Sequence, residues 1–158
     1  MDSKDATIAR RHLLIGTGAA AVLASAVTGP AIAAELSADE KANSALVKSF
    51  CLGWMAKDYD ADKEMAKYLA ADSAVRMVED KPPVIGPAAA AAGMKSFAVP
   101  GQSIDIKILE IFAKGPVVVT SRIDTVKTPG KPDQVYKIAG VFIVKGGKIK
   151  EWTDFLAG

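Results

Sequence analysis

The second half of the sequence reads as a series of strands joined by tight turns, and this feature constrains the fold more than any other. Ile104, Ile106 and Ile108 alternate with Asp105 and Lys107, which is the two-residue period of a strand with one buried face. Three further runs rich in β-branched residues are predicted as strands, at 117–126, 135–144 and 149–156. Turn sequences separate these runs, so the sequence predicts a mostly antiparallel sheet.

The first half has the signals of helices instead. Ser37 and Glu40 have the spacing of a capping box, and apolar residues such as Phe50 and Trp54 recur at helical spacing up to about Lys57. Three further elements are predicted: a helix capped by Asp60 or Asp62 and reaching Leu69, a strand at 73–78, and a helix from Pro87 to about Phe97. Helices followed by hairpin-linked strands predict an α+β fold.

The amino-terminal residues have the pattern of an export signal. Arg10 and Arg11 precede an apolar run that ends near Val27, and Ala31-Ile32-Ala33 has the small-x-small pattern of a cleavage site. A pair of arginines before such a run is typical of the twin-arginine export route. The apolar run of roughly 15 residues is shorter than the ~20 that a spanning helix needs, so we expect no stable membrane anchor.

The sequence therefore predicts a cleaved signal at 1–34 and one domain at 35–158 that works in the periplasm or is secreted. The signal contains three of the 20 basic and two of the 18 acidic residues, so the remaining domain has 17 and 16, a nearly neutral balance. No basic stripe interleaved with aromatic residues indicates nucleic-acid binding.

Residue counts exclude several kinds of site. The single histidine, His12, lies in the predicted signal, and Cys51 is the single cysteine. The domain therefore lacks the residues for a histidine- or cysteine-based metal site, a Cys/His nucleophile or an internal disulfide. We find no cofactor motif, and we expect Cys51 to be a buried thiol because it lies in an apolar helical run.

Three charged residues in the predicted strands are candidates for chemistry. Arg122 and Asp124 are two residues apart, so they share one strand face with the small or apolar residues Val118 and Thr120. Asp154 lies in the last predicted strand, among aromatic and apolar residues. From the pattern alone, two interpretations stay open: a solvated outer face, or a charged cluster inside a concave sheet.

Four segments carry a resemblance to a known family. They are Thr-Ser-Arg-Ile-Asp at 120–124, Gly-Val-Phe at 140–142, Gly-Lys-Ile at 147–149 and Trp-Thr-Asp-Phe at 152–155. In their order and spacing they resemble the limonene-1,2-epoxide hydrolases, which belong to the SnoaL-like and nuclear-transport-factor-2-like folds. The resemblance implies a cone-shaped α+β fold in which helices pack on a strongly curved sheet around an interior pocket.

The resemblance also implies a mechanism. Asp154 would take a proton from water, Asp124 would donate one to the epoxide oxygen, and Arg122 would orient both carboxylates. The reaction would need no cofactor, metal or covalent intermediate. Two carboxylates can act as base and acid at one pH when their surroundings separate their pKa values.

The expected ligand is an apolar small molecule. Five apolar residues are predicted to line the pocket: Trp54, Phe97, Val118, Phe142 and Leu156. Related cone folds often pair through the outer face of the sheet, so the resemblance also implies a homodimer.

The chain departs from the family at its water site. The family holds the attacking water with a tyrosine and an asparagine on the strand after the second helix. The matching positions here are Val75 or Arg76 for the tyrosine, and Met77 or Val78 for the asparagine. Since positioning is a large share of such catalysis, a water held by fewer partners is a poorer nucleophile.

Three functions therefore stay open at this point. The first is an epoxide hydrolase that uses the Asp–Arg–Asp triad. The second is a proton-transfer enzyme of the ketosteroid isomerase kind. The third is a non-catalytic module that binds an apolar small molecule.

Overall fold

The computed structural model describes residues 35–157, so the predicted export signal at 1–34 lies outside the described residues. Its helices are α1 (Ala38–Gly53), α2 (Ala61–Tyr68) and α3 (Gly86–Ser96). Its strands are β1 (Leu69–Arg76), β2 (Val84–Ile85), β3 (Ser103–Lys114), β4 (Val117–Lys127), β5 (Gln134–Lys145) and β6 (Lys148–Leu156).

The six strands form one curled sheet in the order β2-β1-β6-β5-β4-β3. β1 runs parallel to β6, and every other neighbouring pair is antiparallel. The predicted α+β class, with helices on a curved and mostly antiparallel sheet, is confirmed. This order matters for the site, because β6 lies only one strand away from β4.

The predicted capping box at the start of α1 is present. The backbone N–H of Glu40 donates to Ser37 Oγ at 3.2 Å, and that of Ser37 donates to Glu40 Oε2 at 2.8 Å. Glu40 Oε1 also accepts from the N–H of Gly115 at 2.9 Å, which ties the β3–β4 turn to this helix end.

Helix α1 ends at Gly53 rather than near Lys57. After Gly53 the backbone hydrogen bonds span three residues instead of four: Met55 N–H donates to the Leu52 carbonyl, and Ala56 N–H to the Gly53 carbonyl. This tighter winding is common at helix ends.

The elements around β1 differ from the prediction because strand pairing overrides the local pattern. Leu69 begins β1 instead of ending α2, since it pairs with Ile149 of β6. The two-residue strand β2 was not predicted; it pairs with Ala74 and Val75. Pairing with β4 extends β3 far beyond the predicted 104–108.

An aromatic cluster fills the core between α1 and the sheet. The ring of Phe50 lies 5.3 Å from Trp54, 5.4 Å from Tyr68 and 5.2 Å from Trp152, measured between centroids. Phe142 stacks on Trp152 at 6.2 Å. These contacts fix the C-terminal end of α1 against β5 and β6.

Across residues 35–157, no helix combines the length and apolar character that a membrane crossing requires.

Candidate functional site

Arg122 and Asp124 lie on the inner face of β4. The alternation of the strand places them there together with Val118, Thr120 and Val126. Arg122 is 1% exposed and Asp124 is 4% exposed, so this face of β4 is not a solvated surface. Burial of a charged side chain requires a partner of opposite charge, and the sheet provides two.

The sheet order brings Asp154 to the same place. Asp154 of β6 pairs with Gly140 of β5, and Gly140 pairs with Thr120 of β4. Because Gly140 has no side chain, nothing separates the inner faces of β4 and β6 at this row. The guanidinium of Arg122 therefore reaches over β5 to the Asp154 carboxylate.

The three side chains form one hydrogen-bonded cluster. Arg122 Nε lies 3.1 Å from both oxygens of Asp124. Its Nη1 lies 3.1 Å from Asp154 Oδ1, and its Nη2 lies 2.5 Å from Asp154 Oδ2. The indole of Trp152 donates to Asp154 Oδ1 at 2.8 Å. Asp154 thus accepts from three N–H groups, whereas Asp124 accepts from one.

This asymmetry distinguishes the surroundings of the two carboxylates. Burial raises the pKa of both Asp124 and Asp154 above the ordinary value, and the Arg122 guanidinium opposes the rise in each. Burial disfavours the charged form of Arg122, but the neighbouring Asp154 carboxylate keeps the pKa of Arg122 above its usual range, so Arg122 stays cationic. One cation balances one carboxylate, and the carboxylate with three donors is the better anion. Asp154 is therefore the carboxylate better placed to carry the negative charge, and Asp124 the one better placed to keep a proton.

Gly140 is a structural requirement of this cluster that the sequence reasoning missed. A Cβ at position 140 would lie 2.6 Å from Arg122 Nη1, 2.8 Å from Thr120 Oγ1 and 2.9 Å from Asp154 Oδ1. Such distances are well below van der Waals contact. Within the described residues Thr120 Oγ1 has no hydrogen-bond partner, so the polar atoms at this row pack directly on the glycine.

A cavity of about 520 Å³ opens beside the cluster without reaching it. Its wall is largely apolar and includes Trp54, Phe97, Ile104 and Val126. Val126 is the inner-face residue that follows Asp124 on β4, so the cavity lies at the open end of the face that carries the cluster. None of the three cluster residues lines it.

The predicted pocket residues are placed in three different environments. Trp54 and Phe97 line this cavity. Val118 and Phe142 are fully buried in the core. Leu156, the last residue of β6, is 56% exposed. The structure therefore brings two of the five to the cavity wall.

The strand that matches the family's water site has apolar residues at the two inner positions, 75 and 77, that match the family's water ligands. Val75 is 1% exposed and pairs with Trp152, which places it close to the cluster. Arg76 is exposed, so it does not add a charge to the interior. Met77 is partly buried, and its Sδ lies 3.1 Å from where a Cβ on Gly93 would be. The inner positions 75 and 77 thus have no strong hydrogen-bonding side chain.

Tyr136 is a second residue that the sequence reasoning did not select. It pairs with Asp124 across β4 and β5, so both side chains belong to the inner face. Its side chain is 37% exposed. Only the strand register places Tyr136 beside Asp124, and the register is not visible in the sequence.

No group of three or more His, Cys, Asp or Glu side chains in the range 35–157 is arranged to hold a metal ion.

Solved structures share this fold. An LEH-like epoxide hydrolase from Mycobacterium tuberculosis is 22% identical, with a TM-score of 0.62 over 75% of this chain and 84% of that one. A protein described as a SnoaL-like polyketide cyclase, from Jannaschia sp. CCS1, is 17% identical, with a TM-score of 0.64 over 78% and 90%. An NTF2-like protein from Anabaena variabilis is 20% identical, with a TM-score of 0.61 over 78% and 94%.

At these identities the solved structures establish the fold alone, which is the nuclear-transport-factor-2-like cone fold. No curated protein matches the sequence significantly. The family model described as the limonene-1,2-epoxide hydrolase catalytic domain (LEH) matches residues 41–157, most of the chain. The match begins within α1, extends past the end of β6 and includes all three members of the cluster. The chain therefore belongs to the limonene-1,2-epoxide hydrolase family.

Proposed function

We propose that this protein hydrolyses an apolar epoxide to a diol by a single acid–base step. The observation that supports the proposal is the buried cluster of Arg122, Asp124 and Asp154, in which Asp154 accepts from three N–H groups and Asp124 accepts from one. An acid and a base held in one site at one pH are what such a step needs. Family membership supports the same reaction.

The roles follow from the hydrogen bonds. Asp154 is ionised and takes a proton from water as the water oxygen bonds to an epoxide carbon. The ring C–O bond breaks in the same step, and Asp124 delivers its proton to the leaving oxygen. Arg122 fixes the distance between the two carboxylates through its Nε and Nη atoms. Proton exchange with solvent then restores both groups.

An apolar substrate is supported by the cavity wall. Trp54, Met94, Phe97, Ile104 and Val126 supply mainly hydrocarbon surface, and the cavity volume suits a small molecule. We further propose export to the periplasm or beyond, which rests on the sequence pattern at 1–34. Replacing Arg10 and Arg11 with lysine should leave the protein in the cytoplasmic fraction.

A second candidate is a module that binds an apolar molecule without reacting with it. Two observations favour it. The inner positions Val75 and Met77 offer no side chain to hold a water. The cluster is also separated from the cavity in this conformation. A water oriented by Asp154 alone would react slowly, since it would have fewer fixed partners.

Incubation of the 35–158 protein with terpene and aryl epoxides distinguishes the two candidates. Hydrolysis predicts diols, and it predicts that Asp154→Asn and Asp124→Asn each lose most of the turnover. Asp105→Asn is the matched control, because Asp105 lies on the exposed outer face of β3. Tight binding of an apolar ligand with no diol from any epoxide would favour the module. Turnover that survives both inner substitutions would refute the assigned roles.

We also propose that two domains pair through the outer sheet face. Phe112 is 61% exposed, Val135 60% and Phe155 43%, and the outer residues Val119 and Val141 lie between β3 and β6. Pairing would remove this apolar surface from water. Light scattering on the 35–158 protein should give twice the chain mass, and Phe112→Asp should give the chain mass.

A further inference from the structure

Trp54 lies between the cavity and the charged cluster. Trp54 is one of the residues that line the cavity, and its ring lies 5.4 Å from Arg122 Cζ, close enough for a cation–π contact. The rings of Phe50 and Trp152 pack against it, each at 5.3 Å. The indole thus covers the guanidinium on the side from which a ligand in the cavity would approach.

The indole N–H of Trp54 has no hydrogen-bond acceptor among the described residues, although the atom is buried. A buried tryptophan N–H usually finds an acceptor, because its lost hydration is otherwise not replaced. In the observed position the Trp54 ring packs against its aromatic neighbours, but its N–H makes no hydrogen bond. A position turned toward the cavity would restore an acceptor, either water or an oxygen of the ligand.

The strand geometry shows how the cluster is reached. On the inner face of β4, Val126 borders the cavity, Asp124 follows two residues away and Arg122 four residues away. At ~6.6 Å for each pair of residues along a strand, the cluster begins one side-chain layer below the cavity. Asp124 is 4% exposed and Asp154 7% exposed, so a substrate meets neither until something moves.

We propose that Trp54 is the specificity-determining barrier between the cavity and the cluster. An epoxide must displace the indole before its ring reaches Asp124 and Asp154, and the displaced N–H then donates to an oxygen in the cavity. Bulk next to the epoxide ring is therefore selected against, because it competes with the indole for the same space. The epoxide part rests on the proposed function, whereas the barrier does not.

Arginine modification tests the barrier without any substrate. Arg76 and Arg122 are the two arginines of the 35–158 protein, and Arg76 is exposed, so it serves as an internal control for phenylglyoxal labelling. The ion pairs of Arg122 slow its reaction in every variant alike, so a ratio of rates between variants reports access. Trp54→Ala should raise the labelling rate of Arg122 roughly tenfold, because the reagent then reaches Arg122 without local opening of the protein. The labelling rate of Arg76 should stay unchanged. Trp54→Phe, which keeps a ring, should stay near the wild-type rate.

Phe97→Ala is the matched control variant, because Phe97 lines the same cavity and is 56% exposed. An equal rise in the Arg122 rate in this variant, or no rise in Trp54→Ala, would overturn the proposal. Trp54→Leu replaces Trp54→Ala if the latter fails to fold.

Kinetics add a second readout. For two epoxides that differ only in bulk beside the ring, Trp54→Ala should raise kcat/KM for the bulkier one relative to the slimmer one, with most of the change in KM. A uniform fall in kcat for both would mean a structural role and would overturn the specificity claim. If no epoxide is hydrolysed, the proposed function fails, while the labelling rates still decide whether Trp54 is a barrier.

Discussion

Replacement of Gly140 with alanine should break the cluster and destabilise the fold. The new methyl group would lie 2.6 Å from Arg122 Nη1 and 2.9 Å from Asp154 Oδ1, so the ion pair between these residues must lengthen. Neither side chain has room to retreat, since Trp152 holds Asp154 and Arg122 is fully buried.

The magnitude follows from two effects that overlap. Overpacking a core costs about 1–3 kcal/mol, and weakening a hydrogen bond between charged groups costs about 1.5–3 kcal/mol. We expect a total loss of about 2–4 kcal/mol in the free energy of unfolding for Gly140→Ala. For a domain of this size, that lowers Tm by roughly 8–16 °C.

Thermal and urea unfolding of the 35–158 protein measure this loss. Ala139→Ser is the matched control, because Ala139 is the neighbour on the outer face of β5 and gains a group of similar size there. Its free energy of unfolding should stay within about 0.5 kcal/mol of wild type. A wild-type Tm for Gly140→Ala would refute the packing of the cluster on the glycine.

Three further predictions concern charge. Arg122→Met leaves the buried carboxyl groups of Asp124 and Asp154 without a cation, so urea denaturation should show a loss of about 3–5 kcal/mol in the free energy of unfolding, which shrinks as pH falls from 8 to 5 and Asp154 is protonated. Because burial raises the pKa of Asp124 above the ordinary 3.8, its contribution to stability is lost as pH rises through the raised pKa; Asp124→Asn should remove that decline in a pH series. The hydrogen bond from Gly115 N–H, then that from Ser37, lowers the pKa of Glu40 to about 2, so the Tm gap between wild type and Glu40→Gln should shrink as pH falls from 4.5 toward 2.

Periodicity predicted the elements that depend on local sequence. The capping box of Ser37 and Glu40 and the shared face of Arg122 and Asp124 depend only on residues two or three positions apart, and both are present. Leu69 was assigned to a helix because its apolar spacing suits one, yet its partner Ile149 is 80 positions away in the sequence. Such pairing is not visible in any local window.

The candidate site was likewise predictable only where it depends on local sequence. Whether Asp154 meets Arg122 and Asp124 depends on the order of β4, β5 and β6, which only the family resemblance suggested. The need for glycine at position 140 becomes visible only when Thr120, Gly140 and Asp154 are seen to pair across three neighbouring strands. Val118 and Phe142 lie in the core instead of a pocket, because the aromatic cluster fills that end of the sheet. The bulge in β6 between its pairs with Ile143 and Val144 also breaks the alternation on which face assignments rest.

The central claim is that water attacks the epoxide directly, with Asp154 as base and Asp124 as acid. A single turnover in ¹⁸O-labelled water, with protein in excess over epoxide, tests it most directly. Direct attack of water predicts one ¹⁸O atom in every diol and none in the protein. Label in the carboxylate of Asp124 or Asp154 would mean a covalent ester intermediate and would rule out direct attack.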